Sequence, residues 1–564
     1  MKFSLPKRTI FIIAVSIFFF CYMTGFSLNY INPKNIDWLF FVGNDDASIA
    51  WFGWEFFRWT DLIQFPLLDN YYYGEELNIS LIYSGSVPLF ALLFKPFDTL
   101  LSFPFQYYGI WHLTCLFLQA YFSLKIIERI TDDKYMRALF LFVILLTPLL
   151  PFNLIINHVG LFANWIIIAA LYLYIREGFS YKHWLILIVV SILTMAYLFA
   201  MILPIFIADL VKNKIKKNIS TISTLKFLSL TVLIILSIFP LLGIETSEDT
   251  YFFYKGYGHF RMNLNSIVDP SVFIDNFQKD TYIFSKVIPD LPDTSFFTGS
   301  GDYEGFNFIG LPIILILITI ALFFKKHVIS VSRIDYFPIV AVCLILILYS
   351  LSNKIIFNDS LLFSYPLPGS IKDFFGVFRS SGRFFWPVYY ILAFFSFYLF
   401  CSFINKKKGL PILALIVILG FFDSSNVYKK TREIKSFKLS YDGPTWQQML
   451  KDPRWANLGK SYKKIKLIYP EIMPEKNSKK ITLFALSEGL SVNGGYLARI
   501  KKTSLFKMKK RLEENIKNCH FDSDSLYIFT NKQVWDNASQ CSNKNLKLVL
   551  DNIYVIAPEI KNKD

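Results

Sequence analysis

Apolar runs of roughly membrane-spanning length recur through the first 423 residues, and they constrain this chain more than any other feature. A stretch of about 20 apolar residues calls for lipid as its solvent, where backbone N–H and C=O groups must be satisfied within the protein; this leaves the helix as the folding unit. Runs near 10–28, 107–124, 138–153, 158–175, 224–243, 307–324, 336–351, 385–404 and 409–423 read as spans. Composition agrees: with 54% hydrophobic and only 18% charged residues over 564 positions, the average residue is too apolar for a water-soluble fold of this length. The expectation is a polytopic α-helical membrane bundle over 1–423.

Lys and Arg between the runs set the orientation. The run from Trp184 to Leu210 has Arg176 and Lys182 before it and Lys212, Lys214, Lys216 and Lys217 after it, so both of its ends read as cytoplasmic. It then enters and returns as two half-spans, a broken geometry tolerated where protein covers the exposed backbone. Lys125–Arg137, Lys325–Arg333 and Lys406–Lys408 fall on the same inner side. The count is about eleven crossings, with the N-terminus inside and the C-terminal region outside. Lys2, Lys7 and Arg8 precede the first run and no small-x-small cleavage site follows it, which reads as a retained signal anchor.

Residues 424–564 have a different character. They hold 27 Lys/Arg against 14 Asp/Glu, or thirteen of the sixteen net positive charges. A membrane anchor sets nucleic acid aside as the partner of such a region, leaving plain solvation or an anionic lipid or glycan. KIKLIY (464–469), KITLFAL (480–486), SLYIF (525–529) and LKLVL (546–550) read as short strands and Ser504–Lys517 as a helix, so a small α/β domain is expected. Cys21, Cys115, Cys343 and Cys401 lie in apolar runs, while Cys519 and Cys541 are placed to form a disulfide if this domain faces an oxidising compartment.

The segments left outside are 29–106, 244–306, 353–384 and the C-terminal domain, and long loops gathered on one face suggest a site assembled there. In GNDDASIAWFGWEFFRW, Asp45 and Asp46 follow the first span; a carboxylate there suits a general base for an acceptor hydroxyl or a group that holds a cation or a leaving group in place, and the alternative is a helix N-cap before Ala47. Glu55 lies toward the same side of such a helix. The stretch Ile82–Phe97 is too short to span and reads as interfacial or re-entrant. FRSSGRFFWP places Arg379 and Arg383 four residues apart before a span, spaced to clamp a phosphate or to snorkel toward lipid phosphates. His158 in an NHVG turn and Glu304 in GDYEGFNFIGLP, with Gly299, Gly301 and Gly305 around it, are further candidates for the site. No phosphate-binding loop, dinucleotide fingerprint, zinc pattern or nucleophile elbow is present, which counts against a nucleotide-driven pump; no cofactor is expected, and a metal is not strictly required.

Taken together, GNDD, WEFFR, YSGSVPLFALLFKPF, FQYYGIW, NHVG, GDYEGFNFIG and FRSSGRFFWP resemble an uncharacterised bacterial family of predicted membrane glycosyltransferases of the GT-C type. The resemblance covers most of 40–405. It implies a GT-C-like fold in the bacterial cytoplasmic membrane and transfer of a sugar from a polyprenyl-phosphate-linked donor to an extracytoplasmic glycan acceptor. It places the family acid at Asp45, with Asp46 where a proline is commoner and so a competitor. Arg379 and Arg383 would then stabilise the leaving lipid phosphate. Two other classes stay open: a carrier or flippase for a lipid-linked glycan, and a non-enzymatic envelope assembly protein.

Overall fold

The structure, a computed structural model, describes residues 5–25, 28–41, 45–77, 79–244, 250–252, 256–274, 280–291, 301–323, 333–438, 449–468, 477–495, 499–541 and 545–559. The chain is mostly helical, with a small α/β region at its C-terminal end. It divides into two compact units: 1–45, 106–232 and 254–437 form the first, and 46–105, 233–253 and 438–564 the second.

The first unit is a bundle. The helix Tyr108–Ile127 packs on Leu5–Thr24 and on Trp165–Ile175, and Leu311–Leu322 packs on both Trp386–Phe403 and Lys406–Asp423. Large aromatic side chains fill the space between them, as where Phe140 stacks on Phe397 with centroids 4.3 Å apart. Asp133 caps the helix Lys134–Leu145 by accepting from the amides of Tyr135 and Met136, and Asn405 caps Lys406–Asp423 through Lys408 N. Among the described residues, Lys7–Thr24, Tyr108–Ile127, Lys134–Ile155, Thr221–Leu241 and Ser381–Phe403 are long and apolar enough to cross a membrane. Lys406–Asp423 and Ser425–Lys435, bent by 48°, make a sixth if taken as one span. Gly160–Ile175, Tyr181–Thr194, Leu311–Leu322 and Asp335–Leu351 are apolar but shorter. Long apolar helices in this number point to a membrane protein.

The run read as two half-spans is interrupted within its length. One helix, Tyr181–Thr194, stops at Met195, and the next, Ala196–Ile215, begins directly after it. Trp184, near the start of the first, donates its indole N–H to Asp209 Oδ2, near the end of the second, at 2.8 Å. The two ends of the run therefore lie together.

The second unit joins the first long loop to the C-terminal domain. Its five-stranded sheet has the order Leu546–Leu550, Ile553–Ala557, Ser525–Phe529, Lys464–Ile468, Ser491–Val492, antiparallel in the first two pairings and parallel in the last two. Ser525–Phe529 is buried along its whole length, as a central strand covered on both faces should be. The loop carries on the sheet edge: Gly74 N donates to Val492 O at 2.7 Å, and Val492 N to Tyr72 O at 3.0 Å. Lys464–Glu75 and Arg511–Glu76 ion pairs reinforce this seam. Cys519 and Cys541 form the disulfide that their positions allowed.

One strand expectation is corrected. KITLFAL lies in a helix, Ser478–Glu488, ended by Gly489 at φ 76°. Ile481–Leu486 are all buried, and an apolar run without polar alternation does not distinguish strand from helix; the left-handed glycine stop was the decisive signal. The other three strands and the 504–517 helix, observed as Lys502–Lys517, stand where they were expected.

Within the second unit, residues 46–58 of the helix Asp45–Arg58 are tied to the end of the loop by a polar knot outside the candidate spans. Glu55 Oε1 accepts from Phe105 N at 2.7 Å, while Trp51 and Trp54 donate to Phe105 O. Arg58 bridges Glu55 and Asp98 at 2.8 and 2.5 Å. Burial pushes the Glu55 carboxyl up to about 7, against the pull of Arg58 and the Phe105 amide. A carboxyl raised from its ordinary 4.5 favours folding fully below about pH 4.5, and that contribution is lost as pH rises through about 7. Glu55→Gln should flatten the fall in thermal stability between these pH values; an unchanged slope would exclude Glu55 as its source. Replacing Cys519 and Cys541 by serine opens a loop of 22 residues, worth about 3 kcal/mol by chain entropy, and should lower the melting temperature of the C-terminal region in calorimetry.

Candidate functional site

The polar cluster of the first unit begins with glycines. An added Cβ at Gly305 would stand 2.1 Å from Arg261 O, and one at Gly382 only 2.6 Å from Gly305 Cα. The segments 301–309 and 378–385 therefore touch backbone to backbone, which no side chain larger than hydrogen permits. Asn307 staples them, donating to Gly305 O at 2.8 Å and Gly382 O at 3.1 Å, and Gly382 N donates to Phe260 O at 3.0 Å. This contact brings Glu304 beside Arg383.

Glu304 and Arg383 are both buried and form an ion pair through Oε2 and Nη2. His158 meets the same guanidinium: its Nε2 lies 2.7 Å from Arg383 Nη2 and 3.9 Å from Glu304 Oε1. Arginine can only donate, so Nε2 is the acceptor, which assigns the ring proton to Nδ1 and leaves the imidazole neutral. The Arg383 guanidinium also stands over the Tyr197 ring at 5.1 Å, and Tyr197 Oη accepts from Ser380 N at 3.1 Å. A second pair, Arg261 with Asp302 at 3.6 Å, adjoins these segments.

The NHVG turn is held from several sides. Asn157 takes φ 53°, a left-handed conformation that asparagine tolerates, and its side-chain oxygen accepts from Lys435. Trp111 Nε1 donates to Val159 O at 2.9 Å. Gly160 packs against the break between the half-helices, where an added Cβ would lie 3.1 Å from Thr194 O. The imidazole is thus aimed by a rigid backbone.

Of the residues singled out from the sequence, His158, Glu304 and Arg383 are brought together. Arg379 is half-buried, with its guanidinium 5.3 Å from the Phe260 centroid; it lies between the helix Gly369–Gly376 and the turn Ser381–Phe385, not one helical turn below Arg383. Gly299 and the side chain of Asp45 lie outside the described residues; Asp45 is the first residue of its helix, two positions before the Ala47 start of the cap reading, and Asp46 is half-buried. Glu55 is committed to Arg58 and Phe105. Tyr197, Asn307 and Lys435 went unnoticed. Asn307 sits inside the quoted GDYEGFNFIG stretch, and Tyr197 follows the helix break, but Lys435 is one lysine among many in a basic region and carries no local signal. Among the described residues no group of three or more His, Cys, Asp or Glu side chains is placed to hold a metal ion.

Removing one partner of a buried ion pair costs about 3–5 kcal/mol, because the other charge is stranded. Glu304→Gln and Arg383→Met should each destabilise the purified protein by that order, and the double variant by clearly less than their sum. Additive losses in a thermal-unfolding double-mutant cycle would contradict the pairing. Gly382→Ala should reduce folded yield more than alanine at the open Gly369, read by size-exclusion chromatography in detergent.

No curated protein and no solved structure matches the chain. Two family models do: residues 13–425 match a domain of unknown function, DUF6311, and residues 454–558 match the DUF6311 C-terminal domain. The first alone covers most of the chain, and the second falls on the sheet region just described. The chain belongs to the DUF6311 family.

Proposed function

We propose that this chain is a membrane glycosyltransferase of the GT-C type, with about eleven crossings, that moves a sugar from a polyprenyl-phosphate carrier to a glycan acceptor on the outer face of a bacterial cytoplasmic membrane. The observation that carries the reading is the convergence of His158, Glu304 and Arg383. They come from separate loops that the lysine and arginine distribution assigns to one face, and burying charged groups among apolar helices is costly unless it serves a purpose. The Cys519–Cys541 disulfide supports an oxidising, extracytoplasmic location for the C-terminal domain.

In this reaction the carboxylate of Asp45, or of its neighbour Asp46, takes the proton of the acceptor hydroxyl. That oxygen bonds to the anomeric carbon while the bond from carbon to phosphate oxygen breaks, and the electron pair leaves with the lipid phosphate. Negative charge grows on the phosphate. Arg379 and the Nδ1–H of His158 would meet it, while Glu304 and Arg383, neutralising each other, hold the imidazole in the donor tautomer this requires. Fixed donors of this kind act without reorganising as the charge develops.

Incorporation of labelled sugar from synthetic polyprenyl-phosphate donors by purified membranes tests the reading. Transfer should be present with the wild type and fall at least about 100-fold with Asp45→Asn or with Asp46→Asn at matched expression, whichever is the base. Equal labelling with all three, across donors, would move the chain to the carrier or scaffold class.

A further inference from the structure

The segment between the helices Arg333–Leu351 and Trp386–Phe403 is ordered, apolar and uncovered. It forms a hairpin, Lys354–Phe357 paired antiparallel with Ser360–Ser364, followed by the short helix Gly369–Gly376. Phe357, Leu361, Leu362, Phe363, Ile371 and Phe374 are all exposed, Phe374 at 73%. The segment is nonetheless anchored. Asn353 and Tyr365 bond to each other twice across the base of the hairpin, and Tyr349 Oη donates to Phe375 O at 2.7 Å.

We infer that this hairpin and helix lie in the interfacial zone of the bilayer, with the acyl chains of lipid as the partner of their apolar side chains. Two features select lipid over a protein partner. Leu361, Leu362 and Phe363 are consecutive, so they project from both faces of the strand; a docked protein covers one face, whereas immersion covers both. The patch also continues an apolar stripe. Phe337, Val340, Leu344, Ile345 and Leu348 are exposed along the helix that leads into the hairpin, at the spacing of one helix face, and Leu348 is 66% exposed. Lipid covering that stripe meets the hairpin next. Lys354, Asp359 and Lys372, also exposed, suit the headgroup level. At the other end, the segment runs through Arg379 into the candidate span Ser381–Phe403, so an apolar helix flanks it on each side. The inference stands independently of the transferase reading, since it concerns the solvent of the surface and not the chemistry of the site.

Nitroxide accessibility in proteoliposomes tests it. Leu362→Cys, Phe374→Cys and, as a reference on the stripe, Leu344→Cys are spin-labelled in a chain with Cys21, Cys115, Cys343 and Cys401 replaced by alanine. All of these labelled positions are exposed, so folding is not at risk from the labels. The expected result is that 362 and 374 relax with dissolved oxygen and are protected from a water-soluble nickel chelate, as 344 is. Relaxation of 362 and 374 by the chelate while 344 stays protected would overturn the inference. Protection of 362 and 374 from both reagents would overturn it as well, because it would mean that protein covers the patch.

Discussion

The buried pair of Glu304 and Arg383 is the contact on which the site depends. Both charges are removed from water, so neither is tolerable without the other, and their mutual attraction repays the cost of desolvation only with near-ideal placement. That placement is a backbone property. Gly305 and Gly382 let two segments meet at contact distance, and Asn307 closes the seam from one side. His158 then docks on a guanidinium that the glycines have positioned, from a turn that Lys435 and Trp111 hold from outside.

The same logic of satisfied polar groups organises the second unit. Glu55 is buried among tryptophans and takes an amide and a guanidinium, so the long loop closes on its own helix. The loop then extends the edge of the C-terminal sheet through Gly74 and Val492. Folding of the loop and folding of the sheet are therefore coupled through backbone hydrogen bonds, which side-chain substitutions alone do not remove.

Much of this was legible in the sequence, for identifiable reasons. Helices announced themselves through length and apolarity, an interruption of the run Trp184–Leu210 through basic residues on both its flanks but not its place at Met195, and the strand SLYIF through β-branched and aromatic residues between turn signals. His158, Glu304 and Arg383 stood out because polar residues beside apolar runs are conspicuous. Their mutual contact did not, since it depends on close backbone approach between segments about 80 and 225 residues apart in the chain, for which a glycine is only a weak local sign. KITLFAL misled because burial on all sides erases periodicity. Lys435 was hidden by its company of solvated lysines.

The most direct measurement of the central claim is a cryo-electron microscopy structure of the protein in lipid nanodiscs with a polyprenyl phosphate bound. The account predicts phosphate density within hydrogen-bond distance of Arg379 and His158, with Arg383 still paired to Glu304. Density for the phosphate lodged elsewhere in the protein, with these side chains unengaged, would contradict the account.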